Sequence, residues 1–279
     1  MIDIFKAALL GIIEGITEWL PISSTGHLIL ADELIKLGVT PAFKEMFDVV
    51  IQLGAILAVV VLFWSKLWPF CNNRAEKGFI DRYCKKDVWS MWFKVVVATL
   101  PAMVIGLPLD DWMTEHLHNP PVVAAMLILY GIFFILLETF YTKGRRFAVR
   151  RISQMTYPIA LGIGLFQVLS LVPGTSRSGA TILGAMLLGC SRTISAEFTF
   201  FLAIPAMAGA SLIKLLKFNF AFTGMEIGIL LTGMLVAFIV SVFSIHFLMN
   251  YVKKHDFKIF GWYRIVLGIV VLCYFYLIR

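Results

Sequence analysis

The chain has 279 residues, of which 60% are hydrophobic and only 15% are charged, and its mean hydropathy is +0.89. Soluble domains carry about 25% charged residues, so this composition excludes a soluble protein and indicates an integral membrane protein. The net charge of +7 lies mostly in predicted loops, which favours a role in membrane topology over nucleic-acid binding.

The first predicted element is a pair of short apolar segments, near residues 5–20 and 28–38, which adjoin the polar sequence EGITEWLPISSTGH at residues 14–27. A helix of about 14 residues reaches only about 21 Å, which is shorter than the hydrocarbon core of about 30 Å. We therefore predict a re-entrant helix–loop–helix pair that enters and leaves the membrane on one side, because broken backbone is tolerated where protein buries it.

Three apolar runs long enough to span a bilayer follow the first motif, near residues 47–65, 89–109 and 120–141. The second and third runs are joined by an acidic sequence, residues 110–115, which we predict to be an exposed loop.

The second half of the chain repeats this order. Short apolar segments near 157–171 and 180–190 flank the polar sequence PGTSRSGAT at residues 173–181, and we predict a second re-entrant pair there. Spanning runs then follow near 196–216, 226–250 and 259–278, which gives six transmembrane helices in all.

The prediction is an all-α polytopic membrane protein that forms one integral membrane domain over residues 1–279, with one repeat at about 1–145 and the other at about 150–279. Three crossings are an odd number, so the second repeat is inverted relative to the first. Inverted repeats with broken helices place their binding site near the membrane midplane, between the repeats.

Loop charge predicts the orientation of the chain. Fourteen basic residues lie on one predicted side: Lys66, Arg74, Lys77, Arg82, Lys85, Lys86, Lys143, Arg145, Arg146, Arg150, Arg151, Lys253, Lys254 and Lys258. Six lie on the other: Lys6, Lys36, Lys44, Lys214, Lys217 and Arg279. The positive-inside rule makes the first side cytoplasmic, so both termini and the opening of the site are expected to face outward.

The two polar motifs have the composition of a phosphate site. Each precedes an apolar helix, whose N-terminus offers free N–H groups and a positive dipole end to an anion. The residues predicted to bind phosphate are Ser23, Thr25, Gly26, Gly174, Thr175, Ser176, Ser178, Thr181 and Gln52. Simple helix capping by Ser and Thr is the alternative, but two matching clusters with an intramembrane Arg and His favour a functional site.

The predicted catalytic residues are Ser24, His27, Glu14, Glu18 and Arg177. Arg177 can bind phosphate through two parallel hydrogen bonds and stabilise charge on a transferring phosphoryl group. His27 suits a general base, a general acid or a nucleophile, although a lone His is more often a structural residue.

Glu14 and Glu18 are four residues apart and therefore lie on one helix face. Two carboxylates in an apolar setting require a cation, a shared proton or an Arg partner. We expect them to bind a divalent cation, Mg²⁺ with Ca²⁺ as the alternative, that bridges carboxylate and phosphate oxygens. A structural pair satisfied by Arg177 is the competing interpretation.

Four further polar residues in apolar runs are predicted to form structural pairs between helices: Gln167, Arg192, Glu197 and Arg264. Buried polar groups at membrane depth are retained when they are paired or functional.

The two motifs together closely resemble the undecaprenyl-pyrophosphate phosphatase family of bacterial inner membranes, the bacitracin-resistance type, over the full length of the chain. The resemblance implies hydrolysis of the C55 polyprenyl pyrophosphate to its monophosphate and phosphate, which recycles the lipid carrier for peptidoglycan and other wall polymers. It also implies a divalent cation, metal or catalytic roles for Glu14 and Glu18, a nucleophile or base at Ser24 or His27, and pyrophosphate binding by Ser176 and Arg177.

Expected partners are the polyprenyl pyrophosphate and membrane lipids, with a homodimer as an open alternative and no nucleic acid. A secondary transporter or flippase of polyprenyl phosphate lipids is the second functional hypothesis, because inverted repeats with broken helices are typical of transporters. A lipid phosphatase of the acid-phosphatase superfamily ranks low, because that chemistry requires a later His that is missing from the second motif and the residues just after it.

Overall fold

The structure of the protein is a computed structural model, and it describes residues 1–71, 83–142, 144, 146–220 and 222–278. Six of the basic residues used to predict orientation, Arg74, Lys77, Arg82, Lys143, Arg145 and Arg279, lie outside the described residues. Within the described ranges the chain is predominantly helical and contains no β-strand.

The helices of the first half begin with α1 (Ile2–Thr17) and α2 (Ser24–Leu34), which enclose the first motif. They continue with α3 (Pro41–Val50), α4 (Gln52–Leu62), the single turn α5 (Trp64–Leu67), α6 (Lys86–Leu117) and α7 (Pro120–Leu136). The second half contains α8 (Tyr157–Val168), α9 (Arg177–Leu187), α10 (Arg192–Lys217), α11 (Gly224–Tyr251) and α12 (Lys258–Cys273).

Six helical segments are long and apolar enough to cross a membrane, as the sequence predicts. They are Pro41–Leu62, Lys86–Leu109, Pro120–Tyr141, Arg192–Lys217, Gly224–Tyr251 and Lys258–Leu277. The first of these consists of α3 and α4 joined at Ile51, and the third and sixth end in short π-helical turns.

The prediction of an acidic loop at residues 110–115 is wrong, because α6 continues through these residues to Leu117. Pro101 and Pro108 lie inside this helix without ending it. Helical backbone around an internal Pro is sustained in apolar surroundings by neighbouring helices and local adjustments.

The helices on either side of each motif are short. The helices α1, α2, α8 and α9 contain 16, 11, 12 and 11 residues, so the longest reaches about 24 Å. These lengths match the expected short segments. The re-entrant path of each pair through the membrane, and the inversion of one repeat relative to the other, stay predictions.

Packing between the halves is reciprocal. The first helix of the first half, α1, packs along α11, and its counterpart α8 packs along α6. The last helices of the two halves, α7 and α12, pack on each other. Each half therefore holds the short helix of the other, and the two motifs contact each other.

Close backbone approach between α7 and α12 depends on two glycines. A Cβ atom at Gly131 would lie 2.7 Å from the carbonyl oxygen of Gly261, and a Cβ atom at Gly261 would lie 2.7 Å from that of Gly131. Helices in membranes associate through small residues of this kind. The reciprocal contact marks the point where the two halves cross, and Arg264 lies one turn along α12 from it.

Candidate active site

The two motifs form turns of the same construction. Ser23 is the N-cap of α2, with φ 75° and ψ 106°, and Ser176 is the N-cap of α9, with φ 72° and ψ 124°. The Ser23 hydroxyl accepts from the Gly26 N–H at 3.3 Å, and the Ser176 hydroxyl accepts from the Gly179 N–H at 3.2 Å. A positive φ is uncommon for a residue other than Gly and persists only where the surroundings enforce it.

An ion pair joins the two motifs. The Arg177 guanidinium donates to Glu18 Oε1 from Nη2 at 3.0 Å and from Nε at 3.3 Å. The Ser24 hydroxyl donates to the other carboxylate oxygen, Oε2, at 3.3 Å. Glu18 thus connects Ser24 to Arg177, and three of the five predicted catalytic residues form one hydrogen-bonded group.

Further hydrogen bonds fix this group from the second half of the chain. Arg177 Nη1 donates to the carbonyl oxygen of Thr199 at 3.0 Å. The Ser178 hydroxyl donates to the backbone oxygen of Glu18 at 3.1 Å and lies 3.1 Å from the Ser176 hydroxyl. The predicted phosphate-binding residue Ser178 therefore also ties the first motif to the second.

Glu14 lies one turn before Glu18 on α1 and is fully buried. Both of its carboxylate oxygens are without a hydrogen-bond partner. A buried carboxylate needs a partner cation or a proton, so the position fits either a cation ligand or a protonated acid. Among the described residues no group of three or more His, Cys, Asp and Glu is arranged to hold a metal ion. Mg²⁺ typically uses only one or two protein carboxylates, completed by water and substrate phosphate.

The two ring nitrogens of His27 contact groups other than the Ser24 hydroxyl. Its Nδ1 lies 2.7 Å from the carbonyl oxygen of Ser23, and its Nε2 lies 2.7 Å from the hydroxyl of Tyr263. A carbonyl oxygen only accepts, so Nδ1 carries a hydrogen, and in the neutral imidazole Nε2 then accepts from the Tyr263 hydroxyl. The hydrogen bond of Ser24 goes to Glu18, which makes Glu18 the base in contact with that hydroxyl.

Gly26 and Gly174, which are predicted to bind phosphate, and Gly179 of the second motif all lie against protein atoms. A Cβ atom at Gly26 would lie 2.9 Å from the Leu127 side chain, and one at Gly179 would lie 3.0 Å from Arg264. A Cβ atom at Gly174, where φ is +90°, would lie 2.5 Å from the carbonyl oxygen of Val123. Packing of the two turns against α7 and α12 accounts for Gly at these positions.

The remaining predicted phosphate-binding residues differ in their surroundings. Thr181 is buried and donates to the carbonyl oxygen of Arg177 at 2.9 Å, while accepting from Thr199 at 2.8 Å. Thr175 is also buried, and its hydroxyl is without a hydrogen-bond partner. Thr25 and Gln52 are half-buried. The roles of all the predicted site residues stay predictions.

For two of the four residues predicted to form structural pairs, Arg192 and Glu197, the pairing is confirmed. Arg192 binds Glu138 at 2.6 Å, and Glu197 binds Lys66 at 2.7 Å. Gln167 is buried with its Oε1 atom unpartnered. Arg264 binds backbone carbonyls of both motifs.

Sequence reasoning missed Tyr263 and Thr199 as members of the site. Tyr263 reads as an ordinary aromatic residue near a helix end, and Thr199 as part of an apolar run. The one available signal was the adjacent Arg264, a charged residue inside a spanning segment.

Comparison with known proteins gives a consistent result. The family model "Bacitracin resistance protein BacA" matches residues 7–270. A protein of Desulfitobacterium hafniense named undecaprenyl-diphosphatase is 61% identical over 276 residues, covering 99% of this chain and 97% of the relative. Another of that name from Enterococcus faecalis is 60% identical over 271 residues, covering 97% of this chain and 96% of the relative.

Proposed function

The chain belongs to the BacA family of bacitracin resistance proteins, and we propose that it hydrolyses undecaprenyl diphosphate to undecaprenyl phosphate and inorganic phosphate. The observation that carries this function is the Ser24–Glu18–Arg177 group, which joins a hydroxyl, a carboxylate and a guanidinium at the contact of the two motifs. The reaction recycles the lipid carrier for peptidoglycan and other wall polymers, and the family links it to bacitracin resistance.

The diphosphate binds where the two motif turns meet. The N-termini of α2 and α9 offer free N–H groups to an anion. Arg177 holds the phosphate oxygens through its planar guanidinium, which the Glu18 and Thr199 contacts orient. The hydroxyls of Ser23, Thr25, Thr175, Ser176 and Ser178 add hydrogen bonds.

In the proposed reaction the Ser24 oxygen attacks the terminal phosphorus. The bond between that phosphorus and the bridging oxygen breaks, undecaprenyl phosphate leaves with the electron pair, and the Ser24 proton passes to Glu18. Water then attacks the phosphorus of the phosphoserine, and the bond between that phosphorus and the Ser24 oxygen breaks. Inorganic phosphate leaves and the Ser24 oxygen regains its proton from Glu18, so one water is consumed overall. Direct attack by water that one of these groups activates is the alternative. Phosphoryl transfer depends mainly on positioning and charge stabilisation, which is the role given to Arg177.

Glu14 and Glu18 would hold the divalent cation, Mg²⁺ with Ca²⁺ as the alternative. The buried and unpartnered Glu14 oxygens support this assignment. A bound cation would supply further charge neutralisation for the phosphate oxygens. The carboxylates themselves bind, orient and, at Glu18, accept the Ser24 proton.

The protein is a multi-pass membrane protein. We propose a bacterial inner-membrane location with both termini outward and an outward-opening site, in line with the loop charges. The proposed partners are the polyprenyl diphosphate and membrane lipids, with a homodimer as an open alternative and no nucleic acid.

The test is phosphate release from undecaprenyl diphosphate by detergent-purified protein, with and without Mg²⁺. Parental protein should release phosphate only with the cation, Arg177→Ala should not, and Arg146→Ala, an exposed arginine outside the site, should match the parent. If folded parental protein released no phosphate with Mg²⁺ present, the proposed phosphatase function would be rejected.

Lipid transport is the second candidate function. The reciprocal packing of α1 on α11 and of α8 on α6 resembles the arrangement of interlocked repeats in transporters. Reconstitution in vesicles with labelled undecaprenyl phosphate separates the two activities. Movement of the lipid between leaflets without phosphate release would favour the transporter.

A further inference from the structure

Arg264 binds both motif turns at once. It lies on α12 and is fully buried. Its guanidinium donates to the carbonyl oxygens of Pro21 at 3.2 Å, Gly174 at 2.9 Å and Thr175 at 2.8 Å. Pro21 precedes the cap of α2, whereas Gly174 and Thr175 precede the cap of α9. One side chain therefore fixes the distance between the two turns.

The charge of Arg264 has no carboxylate partner within the described part of the chain. The contacts of its guanidinium there are carbonyl oxygens and the ring of Tyr130, whose centroid lies 5.6 Å away. A buried cation is costly unless an anion or strong hydrogen bonds compensate it. The other intramembrane arginines differ, since Arg177 pairs with Glu18 and Arg192 with Glu138. Carbonyl oxygens satisfy the N–H groups of Arg264 but leave its net positive charge without a carboxylate in the described part of the chain, which favours an anion bound nearby.

The bond to Thr175 also orients the cap of α9. In a trans peptide the C=O and the following N–H point in opposite directions. Because the Thr175 carbonyl points at Arg264, the Ser176 N–H points away from the guanidinium. The positive φ of Ser176 is then held in place from both sides, by this bond and by its own cap to Gly179.

Packing shows how closely the guanidinium lies under α9. A Cβ atom at Gly179 would lie 3.0 Å from Arg264 Nη1. The cation therefore sits beneath the first turn of α9, the same turn whose free N–H groups and positive dipole end are suited to an anion.

We propose that Arg264 is a positioning residue of the phosphatase site, which sets the separation of the two motif turns and adds positive charge beneath the bound diphosphate. This inference rests on the proposed function. The diphosphate is the anion that the unpaired guanidinium lacks. Ser24 lies at the start of α2 and Arg177 at the start of α9. Their separation is fixed because the Arg264 side chain binds the backbone that precedes each helix.

The experiment compares Arg264→Lys and Arg264→Gln with Arg192→Gln as the matched control. Arg192 is a second intramembrane arginine, but its ion pair with Glu138 lies outside the site. The rate of phosphate release per folded protein and the KM for undecaprenyl diphosphate are measured after the folded fraction has been determined by thermal unfolding in detergent.

Arg264→Lys keeps the charge but cannot reach three carbonyls, so kcat should fall about 100-fold with little change in KM, as expected for a small misplacement of catalytic groups. Arg264→Gln loses the charge as well, so kcat should fall at least as far and KM should rise. Arg192→Gln should lower thermal stability while kcat per folded protein stays near the parental value.

Two outcomes overturn the proposal. Folded Arg264→Lys and Arg264→Gln proteins with parental kcat and KM would show that Arg264 has no role in the reaction. Loss of activity only in proportion to the unfolded fraction would show a purely structural role. An inactive parental protein would instead reject the proposed function, which keeps the two failures distinct.

Discussion

The two motif turns share a backbone conformation but carry different chemistry. Both are capped by a Ser with positive φ that binds a Gly three residues on. The residue after the cap is Ser24 in the first turn and Arg177 in the second, and His27 of the first corresponds to Ala180 of the second. The first turn therefore supplies the hydroxyl beside two acids, and the second supplies the cation, so neither half forms a complete site alone.

The sharpest test of this division changes the residue after each cap. Arg177→Ala should lower kcat/KM about 1,000-fold, since cationic groups that stabilise transferring phosphate are typically worth that much. Ser24→Ala should lower kcat by a similar amount if Ser24 is the nucleophile, and it should abolish labelling of the protein by substrate that carries a radioactive terminal phosphate. Labelling that persists in Ser24→Ala would assign the nucleophile to another group.

The next largest effect concerns Glu14 and Glu18, the two carboxylates of the first motif. Glu18→Gln should lower kcat about 100-fold, because the proton acceptor for Ser24 is lost. Both substitutions remove a proposed cation ligand and should raise the Mg²⁺ concentration needed for half-maximal activity, but Glu14→Gln should keep most of kcat at saturating Mg²⁺ because Glu18 remains to accept the proton. A titration of activity against Mg²⁺ distinguishes the two, and identical curves for both variants would argue against separate roles.

A smaller effect is expected at His27, which is absent from the second turn. Tyr263→Phe removes the hydrogen bond to Nε2 but keeps the stacked ring, whose centroid lies 5.6 Å from that of His27. Because a single hydrogen bond contributes about 1 kcal/mol, kcat/KM should fall less than about 10-fold. His27→Ala is measured for comparison. If Tyr263→Phe lowers kcat/KM as much as His27→Ala does, Tyr263 takes part directly in the chemistry.

The smallest effects should come from the caps themselves, where the two turns are alike. Ser23→Ala and Ser176→Ala should each destabilise the protein by about 1 kcal/mol through loss of the cap. Ser→Gly at either position should cost less, because Gly adopts this conformation readily. Thermal unfolding in detergent measures the loss of stability for each substitution. A different loss at the two caps would show that the two turns are not equivalent.

Several features of the site were accessible from the sequence because they are local. The Ser-x-x-Gly spacing places a cap hydroxyl against an N–H three residues on, and the fourfold spacing of Glu14 and Glu18 places both on one face of α1. The sequence did not predict that the Ser24 hydroxyl bonds to Glu18 and not to His27, because this contact depends on how the chain turns between Thr17 and Ser24.

The sequence by itself determined the six spans and the two short helix pairs, because span length and apolarity follow from the thickness of the bilayer. The tertiary structure alone decided which distant residues meet. Glu18 and Arg177 are 159 residues apart, His27 and Tyr263 are 236 apart, and Pro21 and Arg264 are 243 apart. Such contacts depend on the register and rotation of helices from different halves, which packing at positions such as Gly131 and Gly261 sets and which no local pattern records.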